Sequence, residues 1–137
     1  MKKGDILYHE QFKFSNGGIS DKLLVILNTP QPTNDPYLII TTTSQSINKS
    51  QIPGCNLKES LFFIKANHDF FNKDTWLQFY QLYELDFKKL LKTKFDGLVK
   101  ISGSLKEQTI NEVINCIRKS DDVSEYYLKL IGKRGQS

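Results

Sequence analysis

Arginine, cysteine and long apolar runs are scarce in this 137-residue chain. No apolar stretch approaches the ~20 residues that cross a bilayer, so no membrane segment is expected. The opening MKKGDILYHE has no apolar h-region, so no secretory signal is expected either, and the reading is a cytoplasmic protein. Cysteine is limited to Cys55 and Cys116, with no CxxC and no Cys/His metal-ligand spacing. Both are expected as reduced thiols, and neither a metal nor a cofactor is expected. Of 19 basic residues, only Arg118 and Arg134 are arginine. Internal repeats and low-complexity segments are lacking.

What is present is ordinary globular material: 39% hydrophobic and 25% charged residues. The length fits one domain over residues 1–137, able to bury roughly two-thirds of its unfolded surface. A net charge of +4 and a pI near 9.0 fit either a lysine-rich soluble surface or one that faces phosphate.

The first two-thirds read as strands. Ile6 to Phe12 follows the turn residues Gly4 and Asp5, and Ser15-Asn16-Gly17-Gly18 marks the next turn. Leu23 to Leu27 is a short continuous apolar run, the mark of a strand buried on both faces. A loop from Thr29 to Pro36 carries three of the four prolines. The strand 37-YLIITTT-43 follows, then a polar loop over residues 45–60. Leu61 to Ala66 and the aromatic Trp76 to Leu85 are further strands. Phe87 to Lys92 reads as a short helix capped by Asp86, and Gly97 to Ser102 as a last strand. Ser104 and Glu107 have capping-box spacing ahead of an amphipathic helix bearing Leu105, Ile110, Val113, Ile114 and Ile117. A second helix is expected from about Ser120-Asp121 to Gly132. The fold class is therefore mainly β with C-terminal helices (α+β): a small antiparallel barrel over about 3–103, helices over about 104–131, and a loose tail over 132–137.

Two segments, 3-KGDILYHEQFKFSNGGISDKLLVILN-28 and 38-LIITTTSQ-45, carry a resemblance. Gly4-Asp5-Ile6, the glycine-containing loop Ser15 to Asp21, the strand Lys22 to Asn28 and the pair Thr43-Ser44 occur in the order found in the MazF/PemK (Kid) toxins. The long strand ending in Leu82 to Phe87 and the terminal helix continue that order, over roughly residues 3–118. The resemblance implies an SH3-like barrel. It also implies a metal-independent endoribonuclease that cleaves single-stranded RNA, works as a homodimer and is silenced by an antitoxin peptide. The catalytic arginine of that family falls at Lys22, the proline after it at Leu23, and a further arginine at Tyr83. The first loop holds no histidine, unlike the PemK branch. Catalytic candidates are thus Lys22 for phosphate charge, Thr43 and Ser44 for phosphate orientation, and His9 or Asp86 as the base, with His68 weaker.

Other readings compete. Lys22 also reads as a solvated charge ahead of a buried strand, and Thr43-Ser44 as a strand end at the surface. Lys88, Lys89, Lys92 and Lys94, with Lys100 and Lys106 beyond, make either a phosphate track for RNA or a solvated face, and Lys13, close to Lys22 in sequence, is a further RNA-binding candidate. A Cys55–His68 nucleophile pair is conceivable, but a small residue after Pro53-Gly54 and a loop histidine explain these two more simply. The alternative function is a catalytically degenerate barrel that binds RNA or protein.

Overall fold

The unbroken apolar run of residues 23–27 marks a strand with no solvent face, and the structure, a computed structural model, buries it in that way. It describes residues 1–30 and 35–132. The middle of the proline-rich loop and the tail beyond Gly132 lie outside them. Among the described residues seven strands form: β1 (Asp5–Lys13), β2 (Ile19–Ile26), β3 (Tyr37–Thr43), β4 (Gly54–Asn56), β5 (Leu61–Ile64), β6 (Thr75–Leu85) and β7 (Val99–Ser104). Three helices accompany them: α1 (Phe87–Phe95), α2 (Glu107–Arg118) and α3 (Glu125–Ile131). The strands make one antiparallel sheet in the order β4-β5-β6-β3-β2-β1-β7.

Strand alternation sends successive residues to opposite faces, and both faces of the central strands are covered. On one face, Ile6, Val25, Leu38, Ile40, Leu77 and Phe79 pack with Ile110, Val113, Ile114 and Ile117 of α2 and Ile131 of α3. On the other, Leu7, Leu24, Ile26, Tyr37 and Ile39 pack with Leu90 of α1 and Val99 of β7. Each fully buried aliphatic side chain contributes roughly 1.5–3 kcal/mol. The α+β class therefore holds, but the sheet is not closed into a barrel. Its pairing runs linearly from β4 to β7, and α2 and α3 supply the apolar partners that a rolled sheet would have to find in its own strands.

Four further expectations change. The thiols are not free: Cys55 and Cys116 form a disulfide with a Cα–Cα distance of 5.5 Å. The segment expected as loop forms β4, which pairs with β5 and packs beside α2, so residues remote in sequence meet. A Cys55 nucleophile is thereby excluded in this state. The capping box does not form. Ser104 ends β7 and its hydroxyl donates to the Asp5 carboxylate at 2.7 Å, while the backbone N–H of Lys106, the residue before α2, donates to Asp69. Sheet pairing of Asp5 with Ser104 has displaced the local cap. Finally, α3 begins at Glu125 with Ser124 as its cap, whose hydroxyl oxygen accepts the Tyr127 N–H, while the Asp122 carboxylate accepts the Ser60 hydroxyl.

Gly103 and Gln11 illustrate two backbone constraints, close packing and a left-handed turn. A Cβ on Gly103 would lie 2.6 Å from the Phe70 ring, so close packing there excludes a side chain. Gln11, at φ 56°, is the bulge residue that breaks the β1–β2 ladder between His9 and Phe12.

Candidate functional site

The polar end of β3 separates into two halves. Thr41 and Thr42 are both buried, because both faces of β3 are covered. Thr41 donates to the Gln78 side chain at 3.2 Å and Thr42 to the Leu23 carbonyl at 2.7 Å. Their hydroxyls satisfy the sheet. The Thr43 oxygen accepts only the Gln45 backbone N–H, at 3.2 Å, which leaves its own hydroxyl proton to donate elsewhere. Ser44 is exposed.

Lys22 lies beside this end. The β2–β3 ladder pairs Leu24 with Thr41 and Val25 with Ile40, and Lys22 and Thr43 lie two residues beyond its last pair on their own strands. The Lys22 ammonium donates to the Thr42 carbonyl at 3.4 Å and lies 5.9 Å from the centre of the Phe14 ring. Lys22, Thr42, Thr43 and Ser44 line one groove of about 330 Å³.

The groove runs across four neighbouring strands in the order β6-β3-β2-β1. At one flank the chain entering β6 supplies Phe71, Asn72, Lys73 and Thr75; at the other, β1 and the start of β2 supply Tyr8 and Asp21. At ~4.8 Å per strand, β1 and β6 lie about 14 Å apart, with Lys22 and Thr43 between them. The Tyr8 hydroxyl donates to Asp21 Oδ2 at 3.0 Å, and Asp21 Oδ1 accepts the Gln11 N–H at 3.0 Å. The bulge at Gln11 is what turns that N–H toward the carboxylate. The hydrogen bond to Asp21, then burial, then the charges of Asp21 and Glu10 hold the Tyr8 phenol above the usual tyrosine range.

The other sequence candidates divide. His9 is the ladder partner of Lys22 on β1, but it does not line the groove. Its Nδ1 is 2.8 Å from the Glu10 carbonyl, which can only accept, so that nitrogen carries the proton and Nε2 is the free one. Asp86 caps α1 by accepting the Lys89 N–H at 3.0 Å. It follows Leu85, which pairs with Tyr37 at the far end of β3, about 20 Å from Thr43. Asp86 is therefore not brought to Lys22. His68 lines a separate cavity near α2, where its carbonyl accepts the Lys106 ammonium at 3.0 Å. Lys13 is exposed opposite Ile19 near the hairpin turn. Lys88, Lys89 and Lys92 are exposed on α1, whose Leu90 packs on the sheet face opposite the one that receives Phe71. The cation that joins Lys22 in the groove is Lys73. Tyr83, at the second arginine position of the resembled family, accepts the Ser15 N–H at 3.3 Å and packs on Phe12 and Phe14, so it steadies the first loop.

Sequence reading missed Tyr8, Asp21, Asn72 and Lys73. A usable signal existed only for Asp21, which immediately precedes Lys22. Among the described residues, no cluster of three His, Cys, Asp or Glu is placed to hold a metal ion, and no helix is long and apolar enough to cross a membrane. Chemically, the groove offers two ammonium groups, two free hydroxyls and a carboxylate–phenol pair. Those are the groups that bind a phosphodiester and move protons around it. Compared with known proteins, the chain matches no protein-family model and no curated sequence.

Proposed function

We propose that the chain is a metal-independent endoribonuclease that cleaves single-stranded RNA in the Lys22 groove. The observation that carries this reading is the placement of Lys22 and Thr43-Ser44 between a carboxylate on one flank and Lys73 on the other. The scissile phosphate sits between them. Asp21 takes the proton of the ribose 2′-OH, whose oxygen attacks phosphorus. Lys22 stabilises the charge that grows on the phosphorane oxygens, and Thr43 and Ser44 orient the phosphate by donating hydrogen bonds. Lys73, on the opposite flank, gives its proton to the departing 5′-oxygen. The P–O5′ bond breaks as the P–O2′ bond forms, which leaves a 2′,3′-cyclic phosphate and a 5′-hydroxyl. Solvent then returns both proton carriers to their starting states. Tyr8 fixes the Asp21 carboxylate on one side, as the Gln11 N–H does on the other.

This reading takes up the resemblance to the MazF/PemK toxins, with the open sheet as a divergent form of their barrel. It carries over a homodimer and an antitoxin peptide that occupies the groove. The protein would act in the cytoplasm, where the Cys55–Cys116 bridge would stabilise it only on oxidation. The test is cleavage of a defined single-stranded RNA by wild type, Lys22→Ala and Asp21→Asn. Loss of cyclic-phosphate product in both variants is expected; equal cleavage by all three overturns the assignment.

A second reading is favoured by one observation: the Lys22 ammonium already bonds the Thr42 carbonyl and lacks the arginine fork. On that reading the groove holds RNA without cutting it. Salt-sensitive RNA binding with no product at high protein concentration would select it.

A further inference from the structure

Lys73 sits in the loop over residues 65–74, which joins β5 to β6. Its side chain is exposed, so the place its ammonium can reach is set by the backbone that carries it. That backbone is tied down at close intervals. The Thr75 hydroxyl donates to the Lys73 carbonyl at 2.9 Å, and Asp74 accepts the Ala66 N–H at 2.9 Å across the base of the loop. Asn67 takes a left-handed backbone, φ 66°, and its N–H donates to the Phe71 carbonyl at 2.8 Å. The Phe71 side chain is buried in the core that α2 covers.

The loop is also held from outside. Its tip meets the junction of β7 and α2, although β3, β2 and β1 separate β6 from β7 in the sheet order. There Asp69 accepts the Lys106 N–H at 3.1 Å, the His68 carbonyl accepts the Lys106 ammonium at 3.0 Å, and the Phe70 ring lies against Gly103. The last contact is the closest-packed. A Cβ at residue 103 would meet Phe70 Cε1 at 2.6 Å and Cδ1 at 2.7 Å, so the ring would have to leave its seat or the loop would have to shift. Neither Phe70 nor Gly103 lines the Lys22 groove, whereas Asn72 and Lys73, further along the same loop, do.

We infer that the seat of Phe70 on Gly103 positions Lys73 for proton transfer to the departing 5′-oxygen. Phe70 and Gly103 are positioning residues. They touch no substrate, and they hold the loop so that the Lys73 ammonium meets the 5′-oxygen as the P–O5′ bond breaks. The geometry of the proton donor is thus set by β7, on the far side of the sheet from the strand that Lys73 leads into. A misplacement of ~1 Å in a reacting group lowers a rate by up to about 10²-fold. The inference rests on the assignment of Lys73 as the donor.

The test compares two single-stranded RNA substrates, one with the natural linkage and one with sulfur in place of the bridging 5′-oxygen. Thiols ionise at a pKa of about 8.5, so a thiolate leaves without a donated proton and the second substrate has no need of Lys73. Single-turnover rates are measured for wild type, Phe70→Ala, Gly103→Ala and the double variant, with Lys73→Ala and Lys22→Ala as references. Phe70→Ala and Gly103→Ala should each lose about tenfold or more on the natural linkage and stay within about threefold of wild type on the sulfur linkage. Lys73→Ala should show the same split more strongly, and Lys22→Ala should lose on both substrates. The double variant should be no slower than the slower single variant, because both changes break one contact. An unfolded fraction slows both substrates alike, so it cannot produce the split. Phe70 is 39% exposed, and Phe70→Ala carries the test alone if Gly103→Ala does not fold. Equal losses on both substrates, or wild-type rates on both, in Phe70→Ala overturn the positioning role while a split in Lys73→Ala keeps the donor. No split in Lys73→Ala overturns the donor assignment itself, and the positioning role with it.

Discussion

Breaking the Cys55–Cys116 bridge should cost this fold a large share of its stability without unfolding it. The bridge joins edge strand β4 to helix α2 across a sequence separation of 61 residues. In the chain-entropy view, closing a loop of that length removes about 14 cal/mol/K from the unfolded ensemble, or ~4 kcal/mol at room temperature. Unfolding a chain of 137 residues at roughly 2.1 cal/mol/K per residue involves about 290 cal/mol/K, so the expected loss in Tm is roughly 15 °C. The native state loses little by comparison. Cys116 is 2% exposed and, once reduced, sits as a small apolar residue in the core beneath α2. Cys55 is exposed at the sheet edge, where a thiol is readily solvated. The assay is urea unfolding followed by the fluorescence of Trp76, which is buried against Phe63, with and without a thiol reductant. Cys55→Ala should match the reduced wild type and show no further response to reductant. Two titratable thiols in the unreduced folded protein, or equal midpoints with and without reductant, would show that no such bridge stabilises the fold.

Three further outcomes follow from the same structure. Asp69→Ala should cost ~1 kcal/mol in chemical denaturation, because it removes the acceptor at the start of α2, whereas Glu107→Ala should stay within about 0.5 kcal/mol; the reverse ranking would restore the local capping box. Tyr126 and Tyr127 both donate to Glu84, and burial followed by that carboxylate raises both phenols above 10.0. The folded state then holds protons that the unfolded state releases, so stability is intact below pH 10 and falls as pH rises through the folded values; replacing both residues with phenylalanine should flatten that alkaline loss in a pH series of urea midpoints. At the groove, Lys22→Arg should keep RNA cleavage within about tenfold of wild type while Lys22→Ala lowers it by about 10²–10³-fold in single-turnover assays.

Local signals carried much of the fold. The apolar run at residues 23–27, the boundaries of β3, the Asp86 cap of α1 and the 3.6-residue period of α2 could all be read because each depends on neighbours a few positions away. The candidate site was readable only in part. Lys22 and Thr43 stood out by residue type and order, and both line the groove. Tyr8, Asn72 and Lys73 were invisible, since nothing in their own segments distinguishes them from ordinary strand and loop residues. Asp86 misled for the complementary reason: a carboxylate after a long strand fits both a base and a helix cap, and only its partner decides.

Hydrophobic period and turn chemistry act over a few residues, so they marked most extended and helical segments, β4 excepted, and most buried faces, Thr41 and Thr42 excepted. The pairing of the cysteines, the service of Asp69 rather than Ser104 at the start of α2, and the bulge at Gln11 that holds Asp21 beside Tyr8 arise only in the folded arrangement. Each of those joins partners from separate elements. Their meeting depends on how seven strands order themselves in a sheet, a choice made by the packing of both faces at once rather than by any one stretch of chain.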